Sequence, residues 1–390
     1  MKKKVFVGMS GGVDSSVTAA LLKEKGYDVT GIHLRCFNVD GCAEQDAEDA
    51  RRAAETLGIP FYVFDFEKEY KERVVKYMVD GYRKGITPNP DVMCNREIKF
   101  GLFLGKALSM SADYVATGHY VRRRSVMKNV EGKMEKGKKK FHSPFTISLF
   151  TARDTNKDQS YFLWTLTQKD LRHCLFPIGE YVKPEVRKLA RTFRLPNADK
   201  KDSQGICFLG KVTLSDFLKT YIPEKPGTIF NTKGEEIGRH QGAHFYTIGQ
   251  RRGIGMGGGN PLYVAEKDVR KNKIVVAEAE DEALTKKEVE LVDVNFINEP
   301  LVTPNSFATG RASHLPLSVY ARVRYRQPLA KATLVTCEKR HENGANSNGN
   351  FPVHLHLKFD VPIKFVASGQ SAVFYKKSGE MIGGGIIAAA

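Results

Sequence analysis

No apolar run in this chain approaches the roughly 20 residues that a membrane helix needs, which excludes a helical membrane span. The opening residues Met1-Lys2-Lys3-Lys4 pass straight into a short apolar strand, with neither a secretory h-region nor an amphipathic Arg/Ser-rich leader. The expectation is a cytoplasmic protein with no membrane attachment. Cysteine is scarce: Cys36, Cys42, Cys94, Cys174, Cys207 and Cys337 are six in 390 residues, with no C-x-x-C. The ten histidines form no H-E-x-x-H pair. A disulfide scaffold and a structural zinc site are both excluded, no residue is assigned as a metal ligand, and thiols in a cytoplasmic chain stay reduced unless redox chemistry is their task. Internal repeats are absent.

What is present is size and positive charge. A chain of 390 residues accommodates two or three domains, each with its own core. The 61 Lys and Arg against 44 Asp and Glu give +17. Between Arg122 and Lys140, nine basic residues face only Glu131 and Glu135, so +10 remains over the rest of the chain. A basic balance that survives removal of its densest run favours a polyanionic partner such as nucleic acid; solubility charge is the alternative.

The first half alternates strand-like and helix-like segments. Val5–Val7, Val29–Leu34, Phe61–Phe64 and Tyr114–Thr117 read as strands. Ser16–Lys25, Ala43–Leu57 and a stretch around Glu97–Met110 read as helices. This rhythm implies an α/β fold with a doubly wound parallel sheet. Residues 125–143, rich in Lys, Gly and Glu, read as a flexible insertion between two strands. Past about residue 205, short β-like runs and Gly-rich turns dominate: Phe230, Tyr246–Ile248, Leu262–Ala265, Ile274–Val276 and Leu291–Phe296. From Arg311 onward Val319–Tyr325, Ala332–Thr336, Val353–Phe359, Ser371–Tyr375 and Met381–Ile387 recur with a barrel-like spacing. The expected division is a catalytic α/β domain over 1–205, a small linking domain over 206–285 and a C-terminal β-barrel over 286–390.

Directly after Val5-Phe6-Val7 stands GMSGGVDSS, Gly8 to Ser16. A Walker loop would place a lysine after its last glycine; here Gly12 is followed by Val13 and Asp14. Backbone N–H groups, two hydroxyls and a helix N-terminus still make an anion site. An aspartate among those anions makes most sense through a bound Mg²⁺. A plain glycine turn, N-capped by Ser15, is the competing reading.

Two cysteines sit in Gly- or Pro-shaped settings. In TPNPDVMCNREIKF (Thr87–Phe100), Asp91 and Cys94 stand near an expected helix start, where the dipole, Arg96 and Lys99 would favour a thiolate. In DSQGICFLG (Asp202–Gly210), Cys207 follows Lys200 and Lys201. Either thiol alone is more often a small buried hydrophobe, and Asp91 a turn residue.

The S-G-G-x-D-S pattern resembles that of the ATP pyrophosphatases, which adenylate an oxygen of the substrate and release pyrophosphate. Together with GMSGGVDSSV (8–17), TPNPDVMCNREIKFG (87–101), ATGHY (116–120), NKDQSYFL (156–163), KDSQGICFLG (201–210), YTIGQRRGIG (246–255) and RYRQ (324–327), it resembles the bacterial tRNA-specific 2-thiouridylases over nearly the whole chain. The resemblance implies 2-thiolation of the wobble uridine in tRNAs for Lys, Glu and Gln, with ATP and Mg²⁺ as cofactors. It implies an ATP site of Gly8, Met9, Ser10, Gly11, Gly12, Val13, Asp14, Ser15, Leu34 and Gly118. Asn89, Pro90 and Asp91 would meet the target base, and Lys157, Asp158, Gln159, His119, Arg324, Tyr325 and Gln370 the tRNA.

Adenylation turns the poor C2 oxygen leaving group into a good one. Sulfur then arrives as a persulfide on Cys207, donated by a cysteine desulfurase or a relay protein, with Asp91 as acid/base. Direct attack of the persulfide on C2 and release of sulfide by Cys94 both end in a Cys94–Cys207 disulfide. A monomer meeting tRNA is the expected assembly. An ATP pyrophosphatase acting on a small molecule, and a non-catalytic RNA-binding protein, are the alternatives.

Overall fold

The computed structural model describes residues 2–37, 42–127, 145–202, 209–210, 212–254, 260–298, 315–336 and 354–389. Strands Lys4–Gly8, Asp28–Arg35, Phe61–Asp65, Tyr114–Thr117 and Cys174–Leu175 form one parallel sheet. Asp28–Arg35 and then Phe61–Asp65 flank Lys4–Gly8 on one side; Tyr114–Thr117 and then Cys174–Leu175 flank it on the other. The chain winds outward in one direction, then returns past its first strand to wind the other way, so the switch point lies beside Lys4–Gly8. Ligand sites of such sheets open at the carboxyl ends of the strands there. Val5 and Val7 face one core with Val17, Ala50 and Ala54, whereas Phe6 faces the other with Phe64, Phe103 and Val115. The period-2 alternation of one apolar triplet thus serves both faces.

The helices in this half depart from plain α geometry in two places. Lys71–Val75 and Asn95–Phe103 are π-helical, so the stretch read as one helix around Glu97–Met110 is a π segment continued by the α-helix Leu104–Ser109. Wide turns of this kind are rare and gather at functional sites. The supposed insertion begins later than its composition indicates: Arg122–Met127 pairs antiparallel with Phe145–Phe150, which places Ser125 to Met127 inside a hairpin strand. Residues 128–144 lie outside the described residues.

Beyond the catalytic half, Gly227–Phe230, Glu236–His240, Leu262–Asp268 and Lys273–Glu278 form a four-stranded sheet. Tyr246–Ile248 is a loop after the 3-10 turn Ala243–Phe245, not a strand; Tyr246 is buried without a ladder partner. Six antiparallel strands from Thr285 to Ile387 then close into a barrel. Its strand Leu317–Arg322 stops three residues short of Tyr325.

The barrel and the α/β domain share buried polar and aromatic contacts. Trp164 Nε1 donates to Ser371 Oγ at 3.0 Å, and its ring lies where Gly384 leaves room, since a Cβ there would stand 2.6 Å from the indole. Tyr161 O–H donates to the Ser371 carbonyl at 2.8 Å. Arg322 and Asp158 form an ion pair at 3.1 Å, with only 9% and 3% of their side chains exposed. Asp158 also accepts from Ser160 Oγ and from the amides of Ala152 and Ser160. Removing one partner of such a pair leaves an uncompensated charge, so Arg322→Met is expected to cost roughly 3–5 kcal/mol. The urea midpoint measures this loss, and Arg322→Met with Asp158→Leu is expected to recover only part of it, because the amides of Ala152 and Ser160 lose their acceptor.

Candidate functional site: a phosphate loop, its lysine and a three-domain junction

The loop after Lys4–Gly8 opens the helix Val13–Glu24. Gly12, not Ser15, is the N-cap, and it makes no side-chain cap bond. Ser15 instead accepts from the Ser10 amide at 3.2 Å and donates to the Gly12 carbonyl at 3.0 Å, which ties the loop to its own helix. Gly11 has φ +76°, and a Cβ there would stand 2.3 Å from the Asp46 carbonyl. A side chain on Gly118 would likewise meet Ser15 N at 2.8 Å. Close backbone approach therefore shapes the cradle, and amides at a helix start without a side-chain cap suit an anion. Met9 and Val13 are buried, so their side chains belong to the core and their share of any nucleotide site is backbone. Leu34, at the end of the second sheet strand, packs half-buried against the core.

The lysine missing from the loop comes from far along the chain. Lys183, 10% exposed, donates to both carboxylate oxygens of Asp14, at 2.7 and 2.8 Å, and to Asp202 Oδ1 at 2.8 Å. Tyr120 O–H donates to the same Asp14 Oδ1 at 2.8 Å. Asp202 also pairs with Lys157 and Arg187. Burial works to raise the Asp202 carboxyl, but the hydrogen bonds from Lys157 and Lys183 prevail and hold it at about 2. Lys183 opens the helix Lys183–Thr192, where the dipole disfavours a cation, and the two carboxylates offset that cost. Asn197 Nδ2 supports the loop from behind, donating at 2.9 Å to both the Gly11 carbonyl and Ser16 Oγ.

A Mg²⁺ held by Asp14 fits this arrangement poorly. Its carboxylate is already taken by an ammonium and a phenol, and no group of three acidic, His or Cys side chains among the described residues is placed to hold a metal.

The second candidate region is the helix Pro90–Cys94. Asn89 caps it, accepting from Val92 N–H at 3.2 Å, and Pro90 takes the first helical position. Asp91 occupies the first turn, while Cys94 is one turn further in and buried, past the reach of the dipole, where the π segment begins. Arg96 is bound to Glu97 at 3.1 Å, and the charge of Lys99 acts on His119. This element runs behind the phosphate loop: Phe103 is 3.5 Å from the position of a Cβ on Gly8. Cys207 lies outside the described residues. Lys200, expected to enrich its surroundings in positive charge, is neutralised by Asp46 at 2.7 Å and Asp49 at 2.6 Å.

Every residue expected to meet tRNA has a partner inside the protein. Lys157 pairs with Asp202, and Asp158 with Arg322. Gln159 Oε1 accepts from the Tyr120 amide. Arg324 donates to the Ile248 carbonyl at 2.8 Å, and Tyr325 lies 4.4 Å from the Phe162 ring. Gln370 donates to the Thr87 carbonyl at 2.9 Å. His119 is buried between Phe100 and Phe176 and hydrogen-bonds Thr117 Oγ1 at 2.7 Å. Burial, aided by Lys99, pushes its titration far below the usual histidine range, so it carries no charge to a phosphate at neutral pH.

Sequence reasoning missed Lys183, Asn197, Tyr120 and Arg322. The one local signal was Lys183-Pro184, a cation where a helix begins.

A glycine loop that opens a helix at the switch point of a parallel sheet defines a nucleotide-binding α/β protein, here with two β domains attached. Residues 3–211 match the family model described as "tRNA methyl transferase HUP domain", 215–278 the "PRC-barrel domain" and 299–387 the "Aminomethyltransferase beta-barrel domain". The tRNA-specific 2-thiouridylase MnmA 1 of Geobacillus kaustophilus is 45% identical over 383 residues, 96% of this chain and 92% of that protein. The tRNA-specific 2-thiouridylase MnmA of Akkermansia muciniphila is 42% identical over 98% of both chains. The chain belongs to the tRNA-specific 2-thiouridylase family.

Lys183→Met removes the cation between Asp14 and Asp202, leaving Asp202 with Lys157 and Arg187 alone. The expected loss is about 2 kcal/mol, between the values for exposed and buried pairs, read as a lower urea midpoint. Because the folded carboxyl of Asp202 is held below its unfolded value, its contribution is complete above pH ~4 and is lost as pH falls towards about 2. Asp202→Asn is expected to flatten the wild-type decline over that window in acid titration followed by circular dichroism.

Proposed function

We propose that this protein transfers sulfur to C2 of a uridine in tRNA at the expense of ATP, the uridine being the wobble base of tRNAs for Lys, Glu and Gln. The reading is carried by family membership over the whole chain, with a Lys-completed anion cradle set beside the helix of Asp91 and Cys94.

The loop from Gly8 to Ser15 binds the phosphates through backbone amides, and Gly118 and Leu34 complete the nucleotide site. Lys183 and Tyr120 fix Asp14 at its rim. Mg²⁺ enters as part of the nucleotide, held by phosphate and water, which suits its ligand preference; no step is assigned to a protein-held ion. Attack of the uracil C2 oxygen on the α-phosphorus forms the adenylate and expels pyrophosphate. Asn89, Pro90 and Asp91 meet the base, and Asp91 moves the proton.

In the persulfide route, the terminal sulfur on Cys207 bonds to C2 and AMP leaves. Cys94 thiolate then attacks the Cys207 sulfur, frees the thiocarbonyl and forms the Cys94–Cys207 disulfide. The transferred sulfur is thus reduced by the two thiols, and an external thiol reductant restores them. The persulfide donor is a cysteine desulfurase or a relay protein, and the protein meets tRNA as a monomer.

With ATP, Mg²⁺, a persulfide donor and unmodified tRNA, mass spectrometry is expected to find 2-thiouridine. Cys207→Ser is expected to abolish it with tRNA affinity unchanged, and wild-type levels would sink the assignment. Cys94→Ser is expected to stop with tRNA joined to Cys207 through the transferred sulfur, a covalent protein–RNA adduct that a thiol reductant releases. Asp14→Ala is expected to lower tRNA-dependent pyrophosphate release by about 10²-fold or more.

A further inference from the structure

The turn Thr87–Asn89, which leads into the helix of Asp91 and Cys94, is gripped from all three domains. Thr87 and Asn89 are 5% and 8% exposed. From the barrel, the Ser368 carbonyl accepts the Thr87 amide at 2.7 Å, and Gln370 Nε2 donates to the carbonyls of Thr87 at 2.9 Å and Pro88 at 3.4 Å. From the middle domain, Lys267 Nζ donates to the Tyr246 carbonyl at 2.8 Å and reaches Thr87 Oγ1 at 3.5 Å. From the catalytic domain, the Tyr82 ring stands 5.7 Å below that ammonium.

Lys267 is the less expected member. Burial alone pushes its ammonium down to about 8, and among the described residues no carboxylate lies within ion-pair distance of it. A methionine would fill the same volume without the cost of a buried charge. What the ammonium supplies, and a methionine would not, is a set of donors that joins Tyr246 of one domain to Thr87 of another. Gln370 does the same from the opposite side, using both its amide hydrogens on main-chain oxygens.

We propose that Gln370 and Lys267 are positioning residues for sulfur transfer: together they clamp the Thr87–Asn89 turn and so fix where Asp91 and Cys94 stand. The inference rests on the roles given above to Asp91 and Cys94. It assigns the two β domains a part in the chemical step as well as in holding RNA.

The test uses the full-length protein loaded with a Cys207 persulfide, measured in a single turnover at saturating ATP and tRNA. Lys267→Met, Gln370→Glu and Gln370→Ala are compared with wild type, with tRNA affinity measured separately and folding checked by melting temperature. Displacement of the turn by about 1 Å is expected to slow thiolation roughly 10²-fold with tRNA affinity unchanged. Gln370→Glu is expected to be slower than Gln370→Ala, because a carboxylate faces two carbonyl oxygens with no hydrogen to offer. Wild-type rates in Lys267→Met and both Gln370 variants would overturn the clamp. So would a defect that appears only as weaker tRNA binding and vanishes at saturation. Cys94→Ser run alongside separates the two layers: if it thiolates at the wild-type rate, the reading of Cys94 falls and the clamp with it. If it is inactive while the clamp variants are normal, the clamp alone falls.

Discussion

One ammonium holds the site together. Lys183 lies between Asp14 of the phosphate loop and Asp202, the last described residue before the Cys207 stretch. Without it, two carboxylates would share a half-buried pocket at which a polyphosphate must also arrive, and each charge would oppose the others. With it, and with Lys157 and Arg187 on Asp202, three cations face Asp14 and Asp202, while Asp154 accepts the Lys183 amide at 2.9 Å. The geometry differs from a Walker loop. The cation approaches from another helix rather than from the loop's own first turn, so it binds the aspartate in the absence of nucleotide.

The same bridge has a consequence for the order of the chain. Asp202 is fixed on the nucleotide side by three cations, and Leu209 is buried in the core. The segment that carries Cys207 therefore departs from and returns to anchored points. The helix of Asp91 and Cys94 is fixed from the other side, through Asn89, the Thr87 turn and the barrel. The described residues that lead to the two cysteines thus rest on different supports, Asp202 on ion pairs and the Thr87 turn on hydrogen bonds to main-chain oxygens.

Much of this was legible in the sequence because local patterns carried it. The alternation of Val5-Phe6-Val7 with a glycine loop, the strands Tyr114–Thr117, Ser371–Tyr375 and Met381–Ile387, and the charged helix ending at Leu57 all declare themselves within a few residues. What stayed illegible depends on contacts between distant positions. Lys183 meets Asp14 across 169 residues, and Gln370 meets Thr87 across 283. No periodicity encodes such pairs. The π-helical stretch from Asn95 was hidden because its apolar residues still satisfy a helical face; only the hydrogen-bond pattern differs. Tyr246–Ile248 misled for the opposite reason: aromatic and β-branched residues read as a strand, but here tertiary burial uses them in a loop.

The residues expected to touch tRNA are the instructive case. Lys157, Asp158, Gln159, Arg324 and Gln370 form a polar set that the family resemblance assigns to the nucleic acid. Each closes a bond within the chain, and several of those bonds cross domain boundaries. A phosphate contact need only present charge to solvent, and a long flexible side chain suffices. A buried bond between domains needs defined partners at defined distances, and it orders whatever both ends support. Asp158 with Arg322, 3% and 9% exposed, belongs to the second kind and joins the nucleotide half to the barrel. Polar residues of this type order the surface on which they stand.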